Sequence, residues 1–183
     1  MDEARLERTP GGLAPATDGW FVVNARDAVW LENDAFGARC GFETDGRIAR
    51  AYGLEERHFP QLGLKLEVVD PGQVATLYHA ETQQEDFLVL SGEGLAVIED
   101  EERRLRAWDL VHCPPGTRHT FVNDGTEPLV MLATGARRED GEIVYAVSDV
   151  AARHGASVEV ETDEPREAYA SHPHWRVGAK PRL

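Results

Sequence analysis

The chain has 183 residues, 42% of them hydrophobic, which is enough for one domain with a sizeable core. Its formal net charge is −14 and its basic runs are no longer than Arg103-Arg104, so binding to a nucleic-acid backbone is disfavoured. No apolar stretch approaches the roughly 20 residues that span a bilayer, and the charged N-terminus lacks the apolar core of a signal peptide. These features predict a cytoplasmic protein that contacts neither nucleic acid nor membrane.

Turn-forming residues and short apolar runs divide the chain into three parts. Residues 1–19 contain Pro10-Gly11-Gly12 and few apolar side chains, which is typical of an N-terminal arm. Residues 20–147 hold many short strands separated by turns, which indicates an antiparallel sandwich or barrel. Residues 148–183 form a C-terminal extension with short helices.

The strand predictions rest on alternation and on turn chemistry. In residues 62–69, Leu62, Leu64, Leu66 and Val68 alternate with small or polar residues, and Asp70-Pro71-Gly72 supplies a turn. The other predicted strands cover residues 19–25, 39–43, 74–81, 86–90, 95–99, 103–107, 110–113, 119–123 and 129–134.

Two helical segments are predicted in the extension. Ser148 can cap a helix that Gly155 ends, and Pro165 is suited to the start of a second one. His172 and His174 are two residues apart, but Pro173 between them favours a packed or disordered terminus over a metal site.

Four side chains in the middle of the chain form a candidate metal site. His79 and Glu81 are two residues apart and therefore share one face of a strand, Glu85 opens the next strand, and His119 opens a later one. Imidazole nitrogen and carboxylate oxygen suit one divalent ion such as Fe, Mn, Zn, Ni or Co. The alternative for each residue taken alone is a solvated polar side chain on a half-exposed strand.

The spacing of these residues resembles the two motifs of the cupins. The first cupin motif reads Gly, five residues, His-x-His, three or four residues, Glu, six residues, Gly; the second reads Gly, five residues, Pro-x-Gly, two residues, His, three residues, Asn. The matching residues of this chain are Gly72, His79, Glu81, Glu85 and Gly92 for the first, and Trp108, Pro114, Gly116, His119 and Asn123 for the second. The resemblance covers roughly residues 58–136.

The chain departs from the cupin pattern at three positions. The gap between Gly72 and His79 is one residue longer, Trp108 stands where the second motif begins with Gly, and Glu81 replaces the second His of the first motif. The last change gives two His and two Glu as ligands, which favours harder ions. Glu81 is alternatively a general base beside the metal, if burial raises its pKa.

The resemblance implies an all-β, double-stranded β-helix jelly roll with a metal at its mouth. In such proteins the ion organises dioxygenation, isomerisation and other reactions, so the chain is expected to be a metal-dependent enzyme acting on a small polar substrate. The alternative is a non-enzymatic module that binds a small ligand or a metal, because one barrel hosts many functions. Phe87, Val89, Phe121 and Met131 are candidates to line the pocket.

A homodimer is also expected. Cupins often pair through the outer sheet, and residues 20–23 (Trp-Phe-Val-Val) offer apolar surface that a small barrel leaves uncovered.

Overall fold

A computed structural model describes residues 2–138 and 140–181. Within these residues, two antiparallel sheets and a separate hairpin account for the strands, and the helices are short. The strands are β1 (Leu6–Thr9), β2 (Gly12–Pro15), β3 (Trp30–Asn33), β4 (Gly37–Cys40), β5 (Leu62–Val69), β6 (His79–Glu81), β7 (Glu85–Ser91), β8 (Glu93–Ile98), β9 (Glu101–Arg106), β10 (Leu110–Cys113), β11 (His119–Val122), β12 (Leu129–Ala136), β13 (Ile143–Tyr145) and β14 (Arg176–Gly178). The helices are α1 (Gly46–Tyr52), α2 (Asp149–Ala152) and α3 (Pro165–Ala168).

The larger sheet has the strand order β10-β7-β12-β5-β4-β3-β14 and the smaller one the order β13-β6-β11-β8-β9. One apolar cluster joins the two sheets: Phe87 and Met131 come from the larger sheet, and Ala96, Leu105 and Phe121 from the smaller. Packing the inner faces of two antiparallel sheets against each other buries both. The predicted all-β class, a double-stranded β-helix jelly roll, is confirmed.

Strand β5 shows how the chain distributes polar and apolar faces. Leu66 and Val68 pack in a cluster with Trp30 and Cys40 on the outer side of the larger sheet. The alternate residues, Lys65 and Glu67, face the interior cavity instead. The larger sheet is therefore covered on both sides, and on β5 the residues that face the cavity include the charged Lys65 and Glu67.

Segments outside the barrel motifs differ from the sequence prediction. Residues 19–25, predicted as a strand, form only an isolated bridge between Trp20 and Glu3, and residues 74–78 lie outside β6. Within residues 1–19, expected to be an arm, β1 and β2 form a hairpin whose Ala14 is buried against Val29 and Ile48. Helix α1 and strands β3, β13 and β14 were not predicted, because they are too short to show a clear period.

The helices of the extension begin where their capping residues indicate. The Ser148 hydroxyl accepts a hydrogen bond from Ala151 N at 3.0 Å, which caps α2. Gly155 follows it with φ of +71°, a left-handed conformation that glycine adopts without strain. Pro165 is the first residue of α3. Both helices agree with the prediction.

Candidate metal centre

Three strands from the two sheets bring the candidate ligands together. His79 on β6 lies directly opposite His119 on β11, so their rings are 4.8 Å apart between centroids. Glu85 comes from β7 in the other sheet, because residues 82–84 carry the chain from one sheet to the other. The Glu81 carbonyl accepts a hydrogen bond from Gly116 N at 2.7 Å, which ties the first motif to the second.

The donor atoms of three of these residues converge on one point. Glu85 Oε2 lies 3.4 Å from His119 Nε2 and 3.9 Å from His79 Nε2. The ligand atoms of His79, Glu85 and His119 all lie within 4.8 Å of one another. Within the described parts of the chain, this is the one group of three or more potential ligands.

Hydrogen bonds to the backbone fix how both imidazoles are turned. His79 Nδ1 lies 2.7 Å from the Leu77 carbonyl oxygen, and His119 Nδ1 lies 3.0 Å from the Thr117 carbonyl oxygen. A carbonyl only accepts, so each Nδ1 carries the proton and each Nε2 presents a lone pair to the centre. This is the arrangement in which histidine binds a metal.

The residues present fit a cation. Glu85 Oε2 and His119 Nε2 are buried and have no hydrogen-bond partner. When Glu85 is ionised, its carboxylate oxygen and the imidazole lone pair both accept, so neither satisfies the other, and burying them unpaired is costly. A divalent ion between them would satisfy both.

Burial shifts the pKa values of the three residues toward their neutral forms. It lowers the pKa of His79 from 6.5 to about 3, with a further contribution from His119, and also lowers the pKa of His119. Burial, together with the charge of Glu81, raises the pKa of Glu85 from 4.5 to about 8. Without a cation the centre avoids charge, and neutral imidazoles are the form that ligates metals.

Glu81 lies beside this centre but outside the group of three. Its Oε1 approaches His79 Nε2 to 4.0 Å, and its side chain is 31% exposed. Burial raises its pKa as well, although Lys65 opposes the shift. The structure thus brings Glu81 to the rim of the centre, where its predicted roles as fourth ligand or as base both stay predictions.

The remaining motif residues shape turns. Gly92 has φ of +81°, and a Cβ there would lie 2.3 Å from the Pro128 carbonyl oxygen, so only glycine fits. The Asn123 side chain donates to the carbonyl oxygens of Val69 and Glu127. Trp108 has φ of +75°, a left-handed conformation that favours glycine, the residue of the cupin pattern at this position. Its side chain is 74% exposed, so little packing offsets the strain.

The centre opens into a cavity of about 760 Å³. Phe87 and Phe121 line it as predicted, whereas Val89 and Met131 are fully buried in the core behind it. A second cavity of about 330 Å³ adjoins the first. Arg39, Lys65, Glu81 and Glu85 border both cavities.

Part of the cavity wall comes from residues that the sequence analysis did not select. Tyr145 on β13 packs its ring 5.4 Å from that of Tyr169, which in turn packs against Phe36 at 5.2 Å. Trp175 and His174 follow in the C-terminal extension and also line the cavity. No local pattern marks these residues, because their partners are distant in the sequence. His172 packs on Phe36.

Comparison with known proteins shows which protein family the middle of the chain matches. Residues 65–135 match the family model of the cupin domain. The chain carries a cupin domain. All three ligands of the candidate metal centre lie inside the matched residues, and the cupin resemblance predicted from the two motifs is confirmed.

Individual relatives cover only part of the chain. An uncharacterized protein of Methanocaldococcus jannaschii is 30% identical over 80 residues, which are 42% of this chain and 64% of that protein. A crystal structure of a putative sugar phosphate isomerase from Acidithiobacillus ferrooxidans is 30% identical, with a TM-score of 0.45, over 58% of this chain and 64% of that one. A crystal structure of a cupin-superfamily sugar phosphate isomerase from Silicibacter pomeroyi is 23% identical, with a TM-score of 0.46, over 74% of this chain and 78% of that one. The chain thus spans just under two thirds of the first two proteins.

No helix in the described residues is long and apolar enough to cross a membrane.

Proposed function

We propose that the protein is a metal-dependent cupin enzyme that acts on a small polar substrate, with His79, Glu85 and His119 as protein ligands of one divalent ion. The observation that carries the proposal is the pair of unpartnered buried acceptors, Glu85 Oε2 and His119 Nε2, at the edge of a large cavity. A merely structural polar cluster would be satisfied by its own hydrogen bonds.

The number of ligands favours catalysis over a purely structural metal. Structural sites close the ion with four protein donors, whereas catalytic sites hold it with about three and leave a position for substrate. The group of three faces the 760 Å³ cavity, and Glu81 stands at its rim. When bound, the ion would supply Lewis-acid or redox chemistry to a substrate oxygen.

The residues around the ion have separable roles in this proposal. His79 and His119 are held in one orientation by the Leu77 and Thr117 carbonyl oxygens. Glu81, with its pKa raised by burial and its side chain partly exposed to the cavity, is suited to accept and return a substrate proton. An isomerase needs proton transfer of this kind. A dioxygenase would need a redox-active metal and no such proton transfer.

Coordination chemistry tests the open position. The protein loaded with Co²⁺ in place of its own metal should bind the ion with one equivalent, and added azide should change its visible absorption bands. Azide that leaves the spectrum unchanged would indicate a closed shell, and the non-enzymatic binding module would then be the better assignment.

Two turnover assays separate the reaction types without knowledge of the product. Small hydroxy acids, oxo acids and sugar phosphates are incubated with the metal-loaded protein in D₂O, and deuterium uptake at carbon is followed by NMR. Uptake that Glu81→Gln abolishes supports an isomerase. Oxygen consumption by the Fe²⁺-loaded protein supports a dioxygenase. Absence of both across the series contradicts the enzyme assignment.

A further inference from the structure

Cationic side chains are concentrated around the metal cavity. Five of them line it: Arg39, Arg47, Arg50, Lys65 and Arg166. The carboxylates that line it are those of Glu67, Glu81 and Glu85. In a chain with a net charge of −14, a cavity with more cations than carboxylates differs sharply from the average surface. With a divalent ion at the centre, the excess of positive charge would be larger still.

Two of these cations already have partners. Lys65 Nζ lies 3.0 Å from Glu67 Oε1, and Arg47 pairs with Asp45 at 3.4 Å. Arg50 and Arg166 are exposed to solvent at the rim. Arg39 differs from all of them, because it is half-buried and no hydrogen bond or ion pair to its guanidinium is found within residues 2–138 and 140–181.

Arg39 is held in place by stacking and not by hydrogen bonds. Its Cζ lies 4.1 Å from the centre of the Trp175 ring. Such a cation–π contact occupies the flat face of the guanidinium and leaves the N–H groups on its edge free. Burial lowers the pKa of Arg39 and the nearby charge of Arg47 lowers it further, while Glu67 and Asp45 oppose the shift without pairing directly with the guanidinium.

Arg39 and the metal centre line the same cavity at separate positions. Arg39 on β4 is opposite Glu67 on β5, and β12 lies between β5 and β7, which carries Glu85. Three strand spacings separate β4 from β7, roughly 14 Å across the sheet. The register adds an offset of four residues along the strands, because Glu85 is level with Gly63 and Arg39 is level with Glu67. Both line the same cavity, so a molecule that fills it would contact Arg39 at one end and the centre at the other.

We propose that Arg39, supported by Trp175, binds an oxyanion group, carboxylate or phosphate, of the substrate whose other end reaches the metal centre. A guanidinium with free N–H groups matches the two oxygens of either group. This proposal rests on the proposed function in treating the bound molecule as the substrate. Anion binding at Arg39 does not itself need the metal.

The test uses three molecules that share one carbon skeleton. Glycerol is neutral, glycerate adds a carboxylate and glycerol phosphate adds a phosphate. Their binding is measured by calorimetry to metal-free and to metal-loaded protein. At least one of the two anions should bind tighter than glycerol in both forms, and the stronger of the two identifies the group that the site prefers.

Two substitutions of matched charge locate the binding. Arg39→Met keeps much of the aliphatic stem and removes the guanidinium, which should weaken anion binding by about ten- to a hundredfold. Arg104→Met removes one charge from an exposed arginine that pairs with Asp124 on the far side of the smaller sheet, and should leave binding unchanged. Arg39→Gln provides a second, polar replacement should the methionine variant fold poorly.

The outcomes separate this proposal from the proposed function. Anions that bind equally well to the Arg39 variants, or that bind only when metal is present and regardless of Arg39, overturn the assignment of Arg39. Wild-type protein that prefers neither anion to glycerol also overturns it. Anion binding that depends on Arg39 in a protein that takes up no metal supports the site and contradicts the metal-dependent enzyme.

Discussion

The cupin-matched residues 65–135 and the flanking segments contribute different halves of one cavity. The matched part supplies His79, Glu85 and His119. The flanks supply Arg39 from one side of the matched part and Trp175 from the other. Under the proposed function, the short motifs would hold the ion, while the flanks would add Arg39 and Trp175 to the surface that contacts a substrate.

The two halves are also held by different kinds of contact. Each histidine ligand is oriented by a carbonyl two residues earlier in its own segment. The flanks depend on distant partners: Asn33 Nδ2 donates to the Pro173 carbonyl oxygen at 2.7 Å, and Leu77 N donates to the Tyr169 hydroxyl at 3.2 Å. The contact between Leu77 and Tyr169 joins the flank to the residue whose carbonyl orients His79, and the following predictions test how far a change in one half reaches the other.

The largest effect is expected from His119→Ala. Removing one of three converging donors and its buried lone pair should strip most of the metal during purification. Elemental analysis checks this, with His112→Ala as control, because His112 is exposed and hydrogen-bonded to Asp86 away from the cavity. Stoichiometric metal in the His119 variant would contradict its assignment as a ligand.

Glu81→Gln should have a smaller effect on the metal. If Glu81 is the fourth donor, loss of its charge should weaken metal affinity by about tenfold or more, and the stability of the metal-free protein should hold or rise because burial disfavours the carboxylate. Competition with a chelator measures the affinity. Glu81→His should shift preference toward Zn or Cu. Unchanged affinity in the glutamine variant would leave the base as the better role for Glu81.

The pH dependence of the metal-free protein tests the state of Glu85. A carboxyl pKa raised to about 8 means that the folded state binds this proton more tightly than the unfolded chain. The free energy of unfolding should then fall as pH rises from 4.5 to about 8 and level off above it, with a slope of at most about 1.4 kcal/mol per pH unit. His79, with its pKa lowered to about 3, contributes its full stability above its ordinary value of 6.5, so it adds no slope there.

Denaturant unfolding between pH 6.5 and 8.5 separates the contribution of Glu85. Glu85→Gln should flatten most of the slope, whereas Glu159→Gln, at an exposed position, should not. Metal-loaded wild-type protein should show the opposite trend, because the ion binds the ionised carboxylate. Parallel slopes in the parent and the Glu85 variant would show that Glu85 is ionised in the metal-free fold.

Tyr169→Phe tests the link between the flank and the metal centre. Loss of the hydroxyl leaves Leu77 N without its acceptor, which should cost about 1 to 2 kcal/mol of stability. Metal content should stay the same, since Tyr169 is not among the three ligands. Thermal unfolding and elemental analysis of one preparation decide both points. Loss of metal in this variant would mean that the two halves are coupled.

Of these changes, Val22→Asp on the surface proposed for dimerisation should have the smallest effect on the cavity. Trp20 is 51% exposed and Val22 is 83% exposed, which leaves apolar surface for a second copy of the chain. Light scattering should give twice the monomer mass of 20.3 kDa, and Val22→Asp should shift it to the monomer without loss of metal. A monomeric parent at micromolar concentration would rule out the two-fold homodimer.

Local spacing was sufficient to predict much of the candidate centre. His79, Glu85 and His119 lie on strands that adjacent residues predict through their alternation and turns. The three side chains converge because the two sheets face each other. The caps of α2 and α3 were equally local. The strand predicted at residues 19–25 failed because an apolar run alone does not say whether a partner strand is available.

The sequence by itself indicated the all-β class, the turns, and His79, Glu85 and His119 as candidate ligands from their cupin-like spacing, because each of these signals lies within a short stretch of chain. The tertiary structure brought the three side chains together, since His79 and His119 are cross-strand partners and Glu85 comes from the other sheet. It alone decided that charged residues of β5 face the cavity and that Arg39 meets Trp175. It also joined Asn33 to Pro173, which are 140 residues apart. Contacts across such separations depend on how whole sheets and segments pack, and no local period of the chain encodes them.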